Sequence, residues 1–521
     1  MELLITHGYM LTGTGSNVYV QNLCRALVRA GHEVHLLCQE PHPTRFDFVN
    51  RALRADSSGV ELLAEQRTPY PGRCSVYRPQ IGDLLPVYVY DEYPGWRVKT
   101  FLDLTEEEFE EYLTHNAAAL RSVLELSGAE AGVTNHSVPG PLIARRALKP
   151  AGIPYISIVH GSCLQYVARR SARYMRAARE GLEGAAKIVA LSEHSAGTVA
   201  EDFPDLAPRT IPLPGGVDTT LFSPANLDLS ITSRLSGGPG RGPEQREAIS
   251  RLARETPGDP AALATRLREI SGSYDARRHD QDAGDRLERL LSGEEPLIVY
   301  VGKLIHSKGV HSLLAAFRRV HRQTGGRLLI VGFGTFREPL ELLNLSLKFR
   351  NEPLTGLLAA SGRRFESGEA DPLEHFDPGP ELYATPGAAD AVEFVGPLYH
   401  EELSRLLPRA DAAVVPSIFP ETFGLVAAEF AASGVVPFVA DHSGLREAGE
   451  IIGKGLDFDL RVSLSDGFQT NLAGALADYL ERPVEERRAA GRRVRENCVR
   501  HLSWEALAER LVELAVSARR A

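Results

Sequence analysis

The chain has 521 residues, more than one hydrophobic core usually serves, so two domains are expected. Its 43% hydrophobic and 24% charged residues are those of an ordinary globular protein, and a formal charge of -10 argues against a coat for nucleic acid. The five cysteines (Cys24, Cys38, Cys74, Cys163, Cys498) form no C-x-x-C pair, so neither a disulfide framework nor a zinc site is supported and a reducing cytoplasm fits.

From Met1 to Met10 no basic segment precedes a long apolar run, so no signal peptide is expected. No stretch approaches the roughly eighteen apolar residues that span a bilayer, while peripheral membrane contact through a surface helix stays open. Short apolar runs then alternate with longer amphipathic segments, the pattern of βαβ units and parallel sheets. Residues 2–6 read as a first strand, followed by a Gly-rich loop, a helix from about Val18 to Ala30 and a buried strand at 34–37. The pattern resumes at 153–159 and 187–191, and a turn-rich stretch runs from Pro212 to Phe222. Residues 228–295 are polar and rich in Gly, Pro and Arg. They read as an inserted set of helical fragments and mobile loop, with disorder of the Gly-Pro portion left open. A second doubly wound unit starts at 297–301 and continues through 328–331, 393–395, 412–415 and 435–440, with another insertion at about 344–390. The expected class is therefore α/β, with domains at 1–213 and 214–500.

Ligands of such sheets sit at the carboxyl ends of strands, and the informative residues fall there. The loop Gly13-Thr14-Gly15-Ser16-Asn17 opens the first helix, where glycines admit a ligand and the helix terminus favours an anion. It also reads as half a dinucleotide fingerprint, with Glu40 at the acidic position but no third glycine, or as a plain tight turn. His160-Gly161 closes the strand ending at Val159, placing a donor near a sugar hydroxyl or the reacting centre. In the segment after it, Tyr166, Arg169, Arg173 and Arg176 share one helical face, which suits an anionic acceptor or else is a solvated basic face. Gly302-Lys303 and Lys308-Gly309 follow the strand 297–301, where two lysines can neutralise a departing diphosphate or lie solvated at the surface. Pro420-Glu421-Thr422-Phe423-Gly424-Leu425 follows the strand 412–415 and opens a helix carrying Glu429. There Glu421 can accept bonds from sugar hydroxyls, Phe423, Gly424 and Leu425 offer amides to oxygens, and Glu429 can reach a ribose diol. Two helix-start carboxylates facing the macrodipole would explain Glu421 alone.

Together these residues resemble glycosyltransferase family 4, the retaining enzymes of GT-B fold. The resemblance is carried by TGTGSNVYVQNLCRALVRAGHEVHLL (12–37), VHG (159–161), AAKIVALSEHS (185–195), PGGVDTTLF (214–222), VYVGKLIHSKGV (299–310), LLIVGFG (328–334), VEFVGPLYHEEL (392–403), SWEALAERL (503–511) and ADAAVVPSIFPETFGLVAAE (410–429). The stretch 410–429 contains the E-x7-E element. The resemblance implies an acceptor-binding first domain, a nucleotide-sugar-binding second domain, a cleft between them, and a closing helix (501–521) that crosses back to the first.

By resemblance, Gly15, Ser16 and Asn17 border phosphate and acceptor, His160 lies by the transferred sugar, and Gly302, Lys303 and Lys308 meet the diphosphate. Glu421 would hold the donor hexose and Glu429 its ribose; Arg169 and Arg173 are placed on the acceptor side by their charge and spacing alone. Thr14 stands for the family's glycine, Gly215 for its asparagine, Lys303 for its arginine, and His442-Ser443-Gly444 for a glycine-rich stretch. Asp457-Phe458-Asp459 superficially resembles a metal-binding D-x-D. The implied activity is a metal-independent hexosyl transfer with no cofactor, from UDP-glucose first or GDP-mannose second, to a small-molecule, glycan or lipid-linked acceptor. A homo-oligomer is compatible with this. The competing classes are a nucleotide-sugar-binding protein without turnover, an NAD-dependent oxidoreductase, an epimerase and a phosphorylase.

Overall fold

The structure, a computed structural model, describes residues 1–13, 15–88, 93, 95–368 and 371–520. Thr14, at which the sequence departs from the family's glycine, lies outside them. The chain divides into two compact units, Met1–Gly216 with Leu502–Ala521, and Val217–His501.

The first unit is built on a nine-stranded sheet. Its spatial order is Thr210–Pro212, Lys187–Ala190, Tyr155–Val159, Ala131–Asn135, Glu2–Thr6, Glu33–Leu37, Arg73–Pro79, Arg51–Asp56 and Gly59–Glu65. Every pairing is parallel except the terminal hairpin of 51–56 with 59–65. The central strands are almost wholly buried, so short apolar runs make up most of them. Helix Glu106–Leu126 begins with a reciprocal cap: Glu108 N–H donates to Thr105 Oγ1 at 3.1 Å, and Thr105 N–H to the Glu108 carboxylate at 3.0 Å. The closing helix, Trp504–Arg520, buries Trp504, Leu507 and Leu511 in one core with Leu3 and Ile5. Trp504 meets Tyr19 edge-on at 5.0 Å, and a Cβ on Gly216 would lie 2.6 Å from the indole, so only glycine fits there.

The second unit has six parallel strands in the order Val392–Phe394, Arg327–Val331, Leu297–Val301, Ala412–Val415, Val436–Ala440 and Arg461–Val462. Numbered from its first strand, this is the doubly wound order 3-2-1-4-5-6, whose switch point falls between Leu297–Val301 and Ala412–Val415. The doubly wound parallel architecture expected from the alternating pattern is thus present in each unit.

The first insertion is largely helical, with Pro243–Leu252, Pro260–Ser271 and Ala283–Ser292. Its Gly-Pro portion carries Arg241, which is fully buried and pairs with Glu341. Asp280, also fully buried, accepts through Oδ2 from Arg286 and, at 2.7 Å, from Arg337. Arg337 reaches Glu341 at 3.0 Å and Arg286 reaches Glu393 at 2.7 Å. Burial pushes the Glu341 carboxyl up, but the Arg241 and Arg337 guanidiniums override it and hold the group down at about 2. A sequence window cannot show such pairing, because its partners lie up to 107 positions apart. Among the described residues no helix is long and apolar enough to cross a membrane.

Candidate active site

At the switch point of the second unit two loops meet. The loop after Leu297–Val301 ends at Gly309, whose φ of +66° caps helix Val310–Thr324. A Cβ at Gly309 would lie 2.0 Å from the Pro416 carbonyl oxygen, so glycine lets this loop touch the one after Ala412–Val415. That contact places the Lys308 ammonium on Glu421 Oε1. Ser417 Oγ donates to the same oxygen at 2.6 Å. Lys303 is exposed and has no ion-pair partner among the described residues, so the two lysines occupy different surroundings. The Tyr300 hydroxyl donates to the Lys303 carbonyl at 2.9 Å, and its ring lies behind Gly302, where a Cβ would be 2.7 Å from that hydroxyl.

Glu366, from the second insertion, accepts the His306 N–H at 3.0 Å and so braces the lysine loop from outside the motif. Gly309→Ala is expected to destabilise the protein by roughly 1–3 kcal/mol through left-handed strain and the Pro416 clash. The melting temperature of the variant checks this effect, and an unchanged value would sink it.

Apart from Glu429, helix Leu425–Ala432 is apolar; it begins at Gly424 with φ of +110°, and no side chain caps its amino end. Phe423 is buried. Glu429, on this helix, is mostly buried and faces His400 Nε2 at 3.5 Å. Burial pushes its carboxyl up, and His400 offsets this in part.

In the first unit the switch point lies between Glu2–Thr6 and Ala131–Asn135, and histidines follow directly. His7 and His136 stack at 5.9 Å, and His136 lies 4.7 Å from His160. Asn135 Nδ2 donates to the Thr6 carbonyl at 3.1 Å, which turns its Oδ1 toward His160 Nε2 at 2.9 Å. Nε2 therefore carries the proton, and in the neutral ring Nδ1 is an acceptor. Burial pushes His160 down to about 3 and His7 down to about 4, so both are uncharged at neutral pH. The adjoining cavity, lined by His7, Tyr9, Tyr88, Tyr112 and His136, measures about 30 Å³, too small for a sugar ring.

Three expectations change. Asn17, expected at the acceptor, is buried and spends its amide on the Thr12 carbonyl at 2.6 Å and His7 Nε2 at 2.9 Å. Gly15 and Ser16 open helix Gly15–Arg29 beside it. The arginine face is not one helix: Ser162–Tyr166, a turn at Ala168–Arg170 and Ala172–Glu183 are separate, with extended backbone at Ser171. Arg169 pairs with Asp202 at 3.0 Å and Glu201 at 3.2 Å. Arg173 donates to the Leu104 carbonyl at 3.0 Å and lies over the rings of Phe109 and Tyr174. Both are committed to the protein.

Glu40, the acidic residue of the dinucleotide reading, is buried and accepts the N–H groups of Leu11 at 3.2 Å and His42 at 3.1 Å. It braces the first loop and has no face left for a ribose. Asp457 pairs with Arg482 and Asp459 with Arg461, both at 2.9 Å. Ser417, His7 and His136 were not singled out by sequence reasoning. The available signal was their place just past a strand end.

Residues 14–214 match the family model described as "Glycosyl transferase 4-like domain", and residues 381–496 match "Glycosyl transferases group 1". Together the two matches support a family 4 glycosyltransferase. It is 31% identical over 224 residues to the glycogen synthase of Mycobacterium tuberculosis, an alignment covering 43% of each protein, so it spans less than half of that relative. Among solved structures, the catalytic domain of starch synthase IV from Arabidopsis thaliana, bound to ADP and acarbose, superposes with a TM-score of 0.56. Identity there is 14%, covering 100% of this chain and 99% of that one. Anabaena HepE in complex with UDP and glucose superposes with a TM-score of 0.53 at 13% identity, covering 99% and 100%. At such identities these two likenesses concern the fold, and the fold is the GT-B class expected for this glycosyltransferase.

Proposed function

We propose that the chain transfers a hexose from a nucleotide-sugar donor to an acceptor hydroxyl, with retention of anomeric configuration and with lysine in the place of a metal cation. The observation that carries this reading is the Lys308–Glu421–Ser417 constellation at the switch point of a doubly wound sheet. Lys308 meets the diphosphate as its charge grows, the uncapped amino end of helix Leu425–Ala432 adds amides from Phe423 to Leu425, and Glu421 holds the hexose hydroxyls. Glu429 takes the ribose diol: a carboxylate that burial pushes toward protonation gains by accepting two hydroxyl protons. The acceptor attacks from the face the diphosphate leaves, a reaction of positioning and charge stabilisation.

A UDP-hexose such as UDP-glucose is the leading donor, supported by the fold shared with a UDP complex, and GDP-mannose is second. The ADP complex of the starch synthase keeps ADP-glucose in the test. No charge is required of the acceptor, because Arg169 and Arg173 are engaged within the protein.

The deciding experiment is thermal stabilisation by UDP, GDP, ADP and NADH in EDTA, for the wild type and Glu429→Ala. A ligand at a hundredfold its Kd stabilises the native state by about 2.7 kcal/mol. One nucleoside diphosphate is expected to raise the melting temperature of the wild type and to lose that effect in the variant. Stabilisation by NADH alone, or by none of the four, would overturn the reading.

A further inference from the structure

Residues 442–444, which follow strand Val436–Ala440 and lead into helix Ser443–Ile452, all grip Glu421 or its partner Ser417. Glu421 N–H donates to Ser443 Oγ at 2.9 Å, and Gly444 N–H donates to the Glu421 carbonyl at 3.0 Å. His442 Nε2 lies 2.7 Å from the Ser417 carbonyl oxygen, and its Nδ1 lies 3.0 Å from Ser443 Oγ. A carbonyl can only accept, so Nε2 carries the proton, and in the neutral ring Nδ1 accepts from the Ser443 hydroxyl. With that hydrogen committed, the Ser443 oxygen is left to receive Glu421 N–H.

The bonds close a ring: Glu421 to Ser443, Ser443 to His442, His442 to the Ser417 carbonyl, and the Ser417 hydroxyl back to Glu421 Oε1 at 2.6 Å. Oε1 thus receives both Ser417 and Lys308, which turns Oε2 toward a further donor. A second observation is independent of the ring. Ser443 has φ of +48°, a left-handed backbone that glycine adopts freely and other residues only at a cost. A cost accepted at a residue whose hydroxyl links Glu421 to His442 points to that hydroxyl as the reason. Gly444 cannot take the role, because a Cβ there would lie 2.3 Å from the Thr422 carbonyl oxygen.

We propose that His442 and Ser443 are positioning residues that aim the Glu421 carboxylate at the hexose of the donor, so that affinity for the sugar, and not for the nucleoside diphosphate, depends on them. The inference rests on the reading of Glu421 as the hexose-binding carboxylate. A ring of this kind acts by pre-organisation: the carboxylate need not be ordered when the sugar arrives, and the bond it makes loses less entropy.

The test uses Ser443→Gly, which suits the backbone and removes only the hydroxyl, and His442→Phe, which removes both ring nitrogens. Calorimetry compares UDP-glucose with UDP, ADP-glucose with ADP and GDP-mannose with GDP, for the wild type, both variants and Glu421→Ala. The expected result is a loss of about ten-fold in affinity for the nucleotide sugar, with the matching diphosphate within about two-fold. The melting temperature of Ser443→Gly should not fall. If Glu421→Ala weakens the nucleotide sugar while neither variant does, or if both variants weaken sugar and diphosphate alike, the positioning role is overturned. If Glu421→Ala spares the nucleotide sugar, or if no pair binds the wild type, the reading of Glu421 fails and takes this inference with it.

Discussion

Lys308→Ala is expected to slow release of the nucleoside diphosphate by about 10²–10³, the usual cost of deleting one preorganised charge or donor from a site where charge develops. Lys308 is held by its loop, through Gly309 and Pro416, against Glu421. Its ammonium therefore does not reorganise when the sugar–phosphate bond breaks, and that fixed position is the source of the large effect. Lys303, five residues earlier, is exposed. Two unit charges about 4 Å apart in water interact by only about 1 kcal/mol, so Lys303→Ala should cost less than about ten-fold. Lys308→Arg keeps the charge but replaces a compact ammonium with a planar fork, so a partial loss is expected. Single-turnover release of UDP, ADP or GDP from the donor that the wild type accepts, with water as acceptor, measures all three. A Lys308→Ala rate within three-fold of the wild type, or a larger loss for Lys303→Ala, would remove lysine from the role given to it.

Asp280→Ala is expected to destabilise the second unit by about 3–5 kcal/mol, the loss typical of breaking a buried ion pair by removing one partner. Asp280 is fully buried and receives Arg286 and Arg337 through one oxygen, so its removal leaves two arginines short of their counter-charge where water does not reach. Arg286 keeps Asp282 and Glu393 and Arg337 keeps Glu341, so the cost is that of buried guanidinium left under-compensated. Replacing a rim pair is the control: Arg266→Ala, whose partner Glu255 is about half exposed, should change stability by less than about 1 kcal/mol. Tryptophan fluorescence is the wrong probe, because Trp96 and Trp504 both belong to the first unit. Hydrogen exchange in helices Ala283–Ser292 and Arg337–Lys348 reads the second unit directly. Unaltered protection there in Asp280→Ala would mean that the insertion is held by its apolar contacts alone.

Much of this glycosyltransferase is written locally. The strands 297–301 and 412–415 are continuous apolar runs, and 2–6 has one at its centre, because sheets covered on both faces admit little else. The residues that follow them, Lys303, Lys308 and Glu421, stand out because polar side chains past a strand end face the ligand side of a doubly wound sheet. The helix 106–126 was equally available from its T-x-x-E cap and was passed over, as were the strands 51–56, 59–65 and 73–79. The last two strands of the sheet, 51–56 and 59–65, mix charged residues such as Arg51, Arg54 and Glu61 into the run, since they are only partly covered there.

The sequence alone determined the class of fold, its two doubly wound sheets and the E-x7-E element, because these depend on periodicity and on spacing within a few tens of residues. Tertiary structure alone decided which of those residues are engaged and with what. Asn17, Arg173 and Glu40 read as ligand contacts and prove to be braces, since their partners at Thr12, Leu104 and Leu11 come close only when the chain has folded. The insertion at 228–295 reads as helical fragments and mobile loop, and what anchors it is hidden for the same reason: Arg241 and Arg286 pair with Glu341 and Glu393, far along the chain. Ser417, His442 and Ser443 are unremarkable one by one and become a site only as a closed ring around Glu421. A hydrogen bond needs two atoms about 3 Å apart, and that distance is a property of the folded chain.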